Sequence, residues 1–161
     1  MIRQEQLFDF SEVENAPAPK KASNHCNNVG AIAEHAFQLH AAENGFTVFV
    51  PIGHAQSVDV VIQEPGCRAL TVQIKQAQHR PNGVYRIPLS RSRPSYRGPN
   101  ENGVLYKKYQ PGEFDIVAGY IAPLKSFWLA WLDDVCGVTS RSIDPSACAL
   151  DCWSNFKRKA D

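Results

Sequence analysis

Apolar residues recur along this chain with two different periods, and the change of period divides it into elements. Over residues 28–44, Val29, Ile32, Ala33, Ala36, Phe37 and His40 fall at helical spacing. Asn27 or Asn28 can cap the start and Gly45 supplies the stop, so a helix is predicted between them. Glu34 lies on the flank of that apolar stripe, where it can face a shared cleft. Past Gly45 the period shortens. Residues 46–50 read as a short strand ended by Pro51, and 52–57 as a loop. Two further strands follow, 58–63 and 69–76, joined through the turn residues Glu64, Pro65 and Gly66.

The pattern then breaks. Residues 78–103 are rich in Pro, Arg, Ser, Gly and Asn and are too long for a plain connection, so they read as a long functional loop. A short helix is expected over 104–109. Residues 114–121 and 127–132 read as buried strands separated by Pro123. The predicted order is an α/β domain with a central mixed sheet in an αβββαβ arrangement, spanning residues 27–135. Residues 1–26 read as an N-terminal extension, with an apolar cluster at Leu7, Phe8 and Phe10 and a Pro/Ala/Lys linker. Residues 136–161 read as a C-terminal extension, with a short helix around 145–153 and a basic tail at Lys157, Arg158 and Lys159.

Composition changes this picture little. The chain has 161 residues, 43% of them hydrophobic, enough for one domain with its own core. Cys26, Cys67, Cys136, Cys148 and Cys152 are odd in number and form no C-x-x-C pair. Reduced, mostly buried thiols are therefore expected, not a disulfide framework or a zinc ribbon. Cys148 and Cys152 stand one helical turn apart and read as a buried apolar pair, and Trp128 and Trp131 as core or dimer contacts. No apolar run reaches the roughly 18 residues that span a bilayer. The N-terminus has no apolar leader core, so a soluble cytoplasmic protein is expected.

Charge changes it more. The net charge of +1 hides a strong asymmetry. Residues 22–67 contain no Lys or Arg and four acids: Glu34, Glu43, Asp59 and Glu64. Residues 68–108 contain nine basic residues and one acid, Glu101. This stretch is either a solvated surface or a phosphate-facing one. On the second reading Arg80, Arg86, Arg91, Arg93, Arg97, Lys107 and Lys108 contact DNA, with Tyr96 beside the arginines. His54 and His79 flank the same region.

The candidate chemistry lies on the two strands of the hairpin. Side chains alternate faces along a strand. Val58, Val60 and Ile62 are expected on one face of the first strand and Asp59 on the other. Thr71, Gln73 and Lys75 share one face of the second. A lysine and an amide in an otherwise apolar strand are costly to bury without a job. Asp59 and Lys75 can form an ordinary ion pair, or with Gln73 and Glu34 they can build a site of hard oxygen donors suited to Mg²⁺ or Mn²⁺. For Asp59 to face Gln73, Val61 must pair with Thr71 and Gln63 with Ala69, leaving a five-residue loop at 64–68. A tight Pro65-Gly66 turn would set Asp59 opposite Val72, on the wrong face.

The pattern Gly30-x-x-x-Glu34, Gly45-Phe46-x-Val48, Val58-Asp59 and Val72-Gln73-Ile74-Lys75 resembles the core of the PD-(D/E)XK, or restriction-endonuclease-like, nuclease superfamily. In layout it is similar to archaeal-type Holliday-junction resolvases and restriction-like intron homing endonucleases. The resemblance implies a restriction-endonuclease-like fold and a Mg²⁺- or Mn²⁺-dependent endonuclease acting on DNA as a homodimer or larger homo-oligomer. It implies that Glu34, Asp59, Gln73 and Lys75 are catalytic. Asp59, Gln73, Glu34 and the Ile74 carbonyl would hold the metal. Two positions depart from the pattern: Val58 replaces proline, and Gln73 replaces an acid. The second change leaves a catalytically inactive nuclease fold, binding DNA or a protein, as the alternative.

Overall fold

The structure is a computed structural model that describes residues 22–52, 57–96 and 102–157, with only the backbone described at 22–27, 92–96 and 102–106. Helix α1 (Ala22–Glu43) ends where the sequence predicts. Gly45 takes a φ of 85°, in the left-handed region open to glycine. The amides of Phe46 and Gly45 donate to the carbonyls of Ala41 and Ala42, each at 3.0 Å, closing the last turn as a Schellman motif. The start differs from expectation: α1 begins at Ala22, upstream of Asn28. Asparagine is a mediocre helix former and not a breaker, so the flanking residues carry the helix through Asn27 and Asn28.

Strands β1 (Thr47–Phe49), β2 (Val60–Gln63) and β3 (Ala69–Gln76) form an antiparallel meander. Four strands follow in place of the expected long loop and short helix: β4 (Gln78–His79), β5 (Tyr85–Pro88), β6 (Ser90–Tyr96) and β7 (Asn102–Lys108). β6 and β7 pair from Ser90↔Lys108 to Tyr96↔Asn102 as a two-stranded ribbon. Such a ribbon does not need the apolar alternation by which strands are recognised, and it tolerates Pro94 because both of its strands are edges.

β8 (Ile116–Ile121) returns parallel to β3, and β9 (Ser126–Trp131) pairs antiparallel with β8. The result is a mixed five-stranded sheet of order β1-β2-β3-β8-β9. The connection from β3 to its parallel neighbour is carried by strands, where a helix is the commoner solution. After β9 come α2 (Leu132–Val135), β10 (Ser140–Ile143) and α3 (Ser154–Lys157). β10, β5 and β4 make a second, three-stranded sheet.

The main sheet separates two cores. Ala33, Phe37 and Ala41 of α1 pack with Val60, Ile62, Leu70, Val72 and Ile74 on one face. Ile87, Leu89, Tyr109 and Phe114 pack with Val117, Trp128 and Leu132 on the other. β3 thus gives its even-numbered residues to the helix layer and its odd-numbered ones to the crossover side. The segment after residue 135, set apart as an extension by its weak pattern, is built into both cores through Ile143, Trp153 and Phe156. Asp151 joins it to β9: its amide donates to the Phe127 carbonyl and its carboxylate accepts the Phe127 amide, both at 2.8 Å. The helix expected around 145–153 shrinks to turns and the four residues of α3. Cys148 and Cys152 are half-buried there, and among the described residues Cys136, Cys148 and Cys152 form no disulfide. No helix among the described residues is long and apolar enough to cross a membrane.

Two positions hold the crossover in place. Asp115 ties the start of β8 to β3: its carboxylate accepts from the Thr71 amide and hydroxyl, each at 2.8 Å, and from Arg68 at 2.9 Å. Gly119 on β8 leaves room for Ile87, since a Cβ there would stand 2.7 Å from its Cγ1 and closer still to its Cδ1. Ile87 is fully buried and cannot retreat. Gly119→Ala is therefore expected to cost about 1–3 kcal/mol through overpacking, read by urea denaturation; an unchanged midpoint would contradict this packing.

Burial alone raises the Asp115 pKa, but the Arg68 and Thr71 bonds outweigh it and hold the carboxyl below its usual range. A depressed folded-state value adds stability above the unfolded pKa, and that stability is lost as pH falls through the folded value. The stability gap between wild type and Asp115→Asn should therefore be full at about pH 6 and close toward about pH 2. A pH-independent gap in denaturation midpoints would show that the charge plays no part.

Candidate functional site

β2 and β3 pair as Val60↔Val72, Val61↔Thr71, Ile62↔Leu70 and Gln63↔Ala69, with residues 64–68 as the connection. This is the register that the sequence requires for Asp59 to face Gln73, and the wide loop sets it. β2 starts at Val60, because the chain bends at Asp59 and turns Val58 toward the crossover core, away from Val60 and Ile62. The Asp59 amide still joins the ladder, donating to the Val72 carbonyl at 2.9 Å.

The carboxylate of Asp59 is held from two sides. Its Oδ2 accepts the Ile74 amide at 2.7 Å and the Nε2 of Gln73. The same Nε2 lies 3.5 Å from the Ile74 carbonyl. Gln73 is 7% exposed and is the one buried polar side chain among the described residues. Burial pushes the Asp59 carboxyl above its usual range, although the Ile74 amide, the Lys75 charge and the Gln73 amide all pull the other way. Burial also pulls the Lys75 ammonium below its usual range, against the attraction of Asp59 and with added repulsion from Arg91.

Lys75 points into the crossover layer. Its Nζ lies 5.6 Å from the centre of the Tyr109 ring, and the Arg91 guanidinium lies 5.5 Å from the same ring. Arg91 forms a 2.5 Å ion pair with Glu113, and both are half-buried. The sequence singles out neither Tyr109, which ends the short helix expected over 104–109, nor Glu113. No spacing signal connects them to Lys75, since only the crossover brings them together.

The other sequence candidates are spread more widely. Glu34 is half-buried on α1, whose apolar stripe packs on the opposite face of the sheet from Gln73 and Lys75. Arg80 is exposed, with a 3.3 Å bond to Gln78. Arg86 lines a cleft of about 340 Å³ with Gln78, Pro88, Ser90 and Thr139. Lys107 and Lys108 are exposed on β7. Arg91 is not a free surface cation as expected, because Glu113 and Tyr109 hold it. Arg93 lies on β6 beyond the described side chains, as does Tyr96. Arg97 and His54 lie outside the described residues, as do the Leu7, Phe8 and Phe10 cluster and the tail residues Arg158 and Lys159. His79 is exposed and packs edge-on against Tyr85.

Among the described residues no three His, Cys, Asp or Glu side chains group as a metal site. A cation beside Asp59 must therefore draw on amide and backbone oxygens. The residues present fit that requirement for Mg²⁺ or Mn²⁺. The Asp59 carboxylate, the Ile74 carbonyl and the Gln73 amide meet at one point, where Nε2 already presents positive charge to both oxygens. Turning the amide over brings Oε1 to the same place.

Residues 24–144 match the sequence model of a family described as PD-(D/E)XK endonuclease. Among solved structures, the fold matches the bacterial homing endonuclease I-Ssp6803I with a TM-score of 0.71 at 22% identity, covering 83% of this chain and 93% of that one. A comparison with curated protein sequences found no match. The family match covers most of the chain and both strands of the site, so the protein belongs to the PD-(D/E)XK endonuclease family.

Proposed function

We infer that this chain is a metal-dependent endonuclease that hydrolyses phosphodiester bonds in DNA, with Asp59, Gln73 and Lys75 at its centre. The observation that carries this reading is the Asp59 carboxylate bound to the Ile74 amide and the Gln73 side chain, beside the half-buried Lys75. Asp59, Gln73 and the Ile74 carbonyl would hold Mg²⁺ or Mn²⁺, to which the family resemblance would add Glu34 as a further oxygen donor. Such a cation, when bound, polarises the phosphate and lowers the pKa of water. Lys75 offsets the negative charge that grows on the phosphate as the water oxygen bonds to phosphorus and the P–O ester bond breaks. The basic residues Arg80, Arg86, Lys107 and Lys108, with Arg93 and Arg97, supply phosphate contacts along the duplex. Cleavage of two antiparallel strands is best served by a symmetric dimer. The homing endonuclease that shares the fold supports a DNA target.

The test is cleavage of plasmid and branched DNA with Mg²⁺ or Mn²⁺. Asp59→Ala and Lys75→Ala are each expected to lower the rate on the order of a hundredfold or more while the protein stays folded. Wild-type turnover in either folded variant would sink the assignment, and an inert wild type would favour the binding-only alternative.

Gln73→Glu probes the departure from the family pattern. It sets two carboxylates against each other in a buried position and removes the amide that now donates to Asp59. The fold is expected to lose about 1–3 kcal/mol without divalent ions. Thermal denaturation should show the loss recovered by Mg²⁺ or Mn²⁺ by more than these ions stabilise wild type. Equal ion-induced shifts in the two proteins would argue against metal binding at this point.

A further inference from the structure

Tyr109 closes the crossover side of the candidate site, and its surroundings are odd for a core tyrosine. It is 2% exposed and fixed edge-on against Phe114, with ring centres 4.8 Å apart. Its hydroxyl is buried and makes no hydrogen bond of good geometry among the described residues, with the Arg91 guanidinium beside it. What the ring does touch is charge. Lys75 Nζ and the Arg91 guanidinium lie 5.6 Å and 5.5 Å from its centre. Two cations drawn to one ring repel each other, although Glu113 balances Arg91 and Asp59 attracts Lys75. The electron-rich ring face adds an attraction that both cations share. It also fixes where the flexible Lys75 chain ends.

The geometry points to Tyr109 as a positioning residue: its ring face holds the Lys75 ammonium, with the Arg91 guanidinium on the same ring, so that both charges serve one phosphodiester phosphate at Asp59. The aromatic face carries this role and the hydroxyl does not. The kinetic consequence rests on the nuclease reading above, but the placement of Lys75 does not.

The experiment compares wild type with Tyr109→Phe, Tyr109→Leu and a variant carrying p-cyanophenylalanine at position 109. The last keeps the aromatic ring, adds one heavy atom at its tip and draws electrons from it. One readout needs no activity: the chemical shifts of the Lys75 Cε protons, assigned by difference from Lys75→Arg, report shielding by the ring. The other is kcat and KM for duplex cleavage with Mg²⁺. Wild type and Tyr109→Phe should show the same upfield Lys75 shift and equal kcat. Tyr109→Leu should lose the shift and about tenfold in kcat at unchanged KM, with the cyano variant falling between.

An unshifted Lys75 in wild type would overturn the proposal. So would a folded Tyr109→Leu with wild-type kcat, or a Tyr109→Phe as impaired as Tyr109→Leu. If Tyr109→Leu does not fold, wild-type kcat in the cyano variant overturns it instead. If wild type cleaves no DNA, the nuclease reading fails, and the Lys75 shift alone decides whether Tyr109 positions the lysine.

Discussion

The candidate site depends on one pairing, that of β2 with β3. In the observed register Val61 faces Thr71 and Gln63 faces Ala69, so Asp59 arrives opposite Gln73. A slip of one residue would turn every β2 side chain to the other face. It would place Val60 and Ile62 among polar groups and carry Asp59 into the helix layer. The greasy face of the hairpin, packed under Phe37 and Ala41, therefore fixes the geometry of the polar one.

The second requirement is that the polar face be enclosed. Parallel pairing of β3 with β8 obliges the chain to travel far before it returns, and that excursion supplies the lid. Tyr109, Arg91 and Glu113 come from its last strands and the turn that follows them. Asp115, bonded to Thr71 and Arg68, anchors the return next to the site. Enclosure removes water from Asp59 and Lys75, which moves both pKa values toward neutrality of charge. It also makes the Asp59–Lys75 attraction stronger than it would be in solvent.

Gln73 fits this dry setting. An acid at this position would leave two carboxylates facing each other whenever no cation stood between them. The amide instead donates to Asp59 and lies near the Ile74 carbonyl, so the constellation is assembled by neutral hydrogen bonding before any ion arrives. The arrangement is preorganised, with one negative charge fewer to draw the metal.

The sequence alone determined the parts governed by local periodicity. The α1 stripe and its glycine stop, the five strands of the main sheet, the parity of the hairpin and the adjacency of Asp59, Gln73 and Lys75 all follow from spacings of two to five residues. These spacings act through backbone geometry that neighbouring side chains cannot easily override. The tertiary structure decided what spacing does not encode. Residues 78–79, 85–88, 90–96 and 102–108 became strands because paired backbones satisfied one another, β6 with β7 and β5 with β4 and the distant β10, despite a composition that reads as loop. Arg91 was legible as a cation but not as one held by Glu113 and Tyr109, since that contact needs the crossover to close. The role of 136–157 as core also stayed hidden. Trp153 and Phe156 are isolated apolar residues, and isolated residues acquire meaning only from the surface they cover.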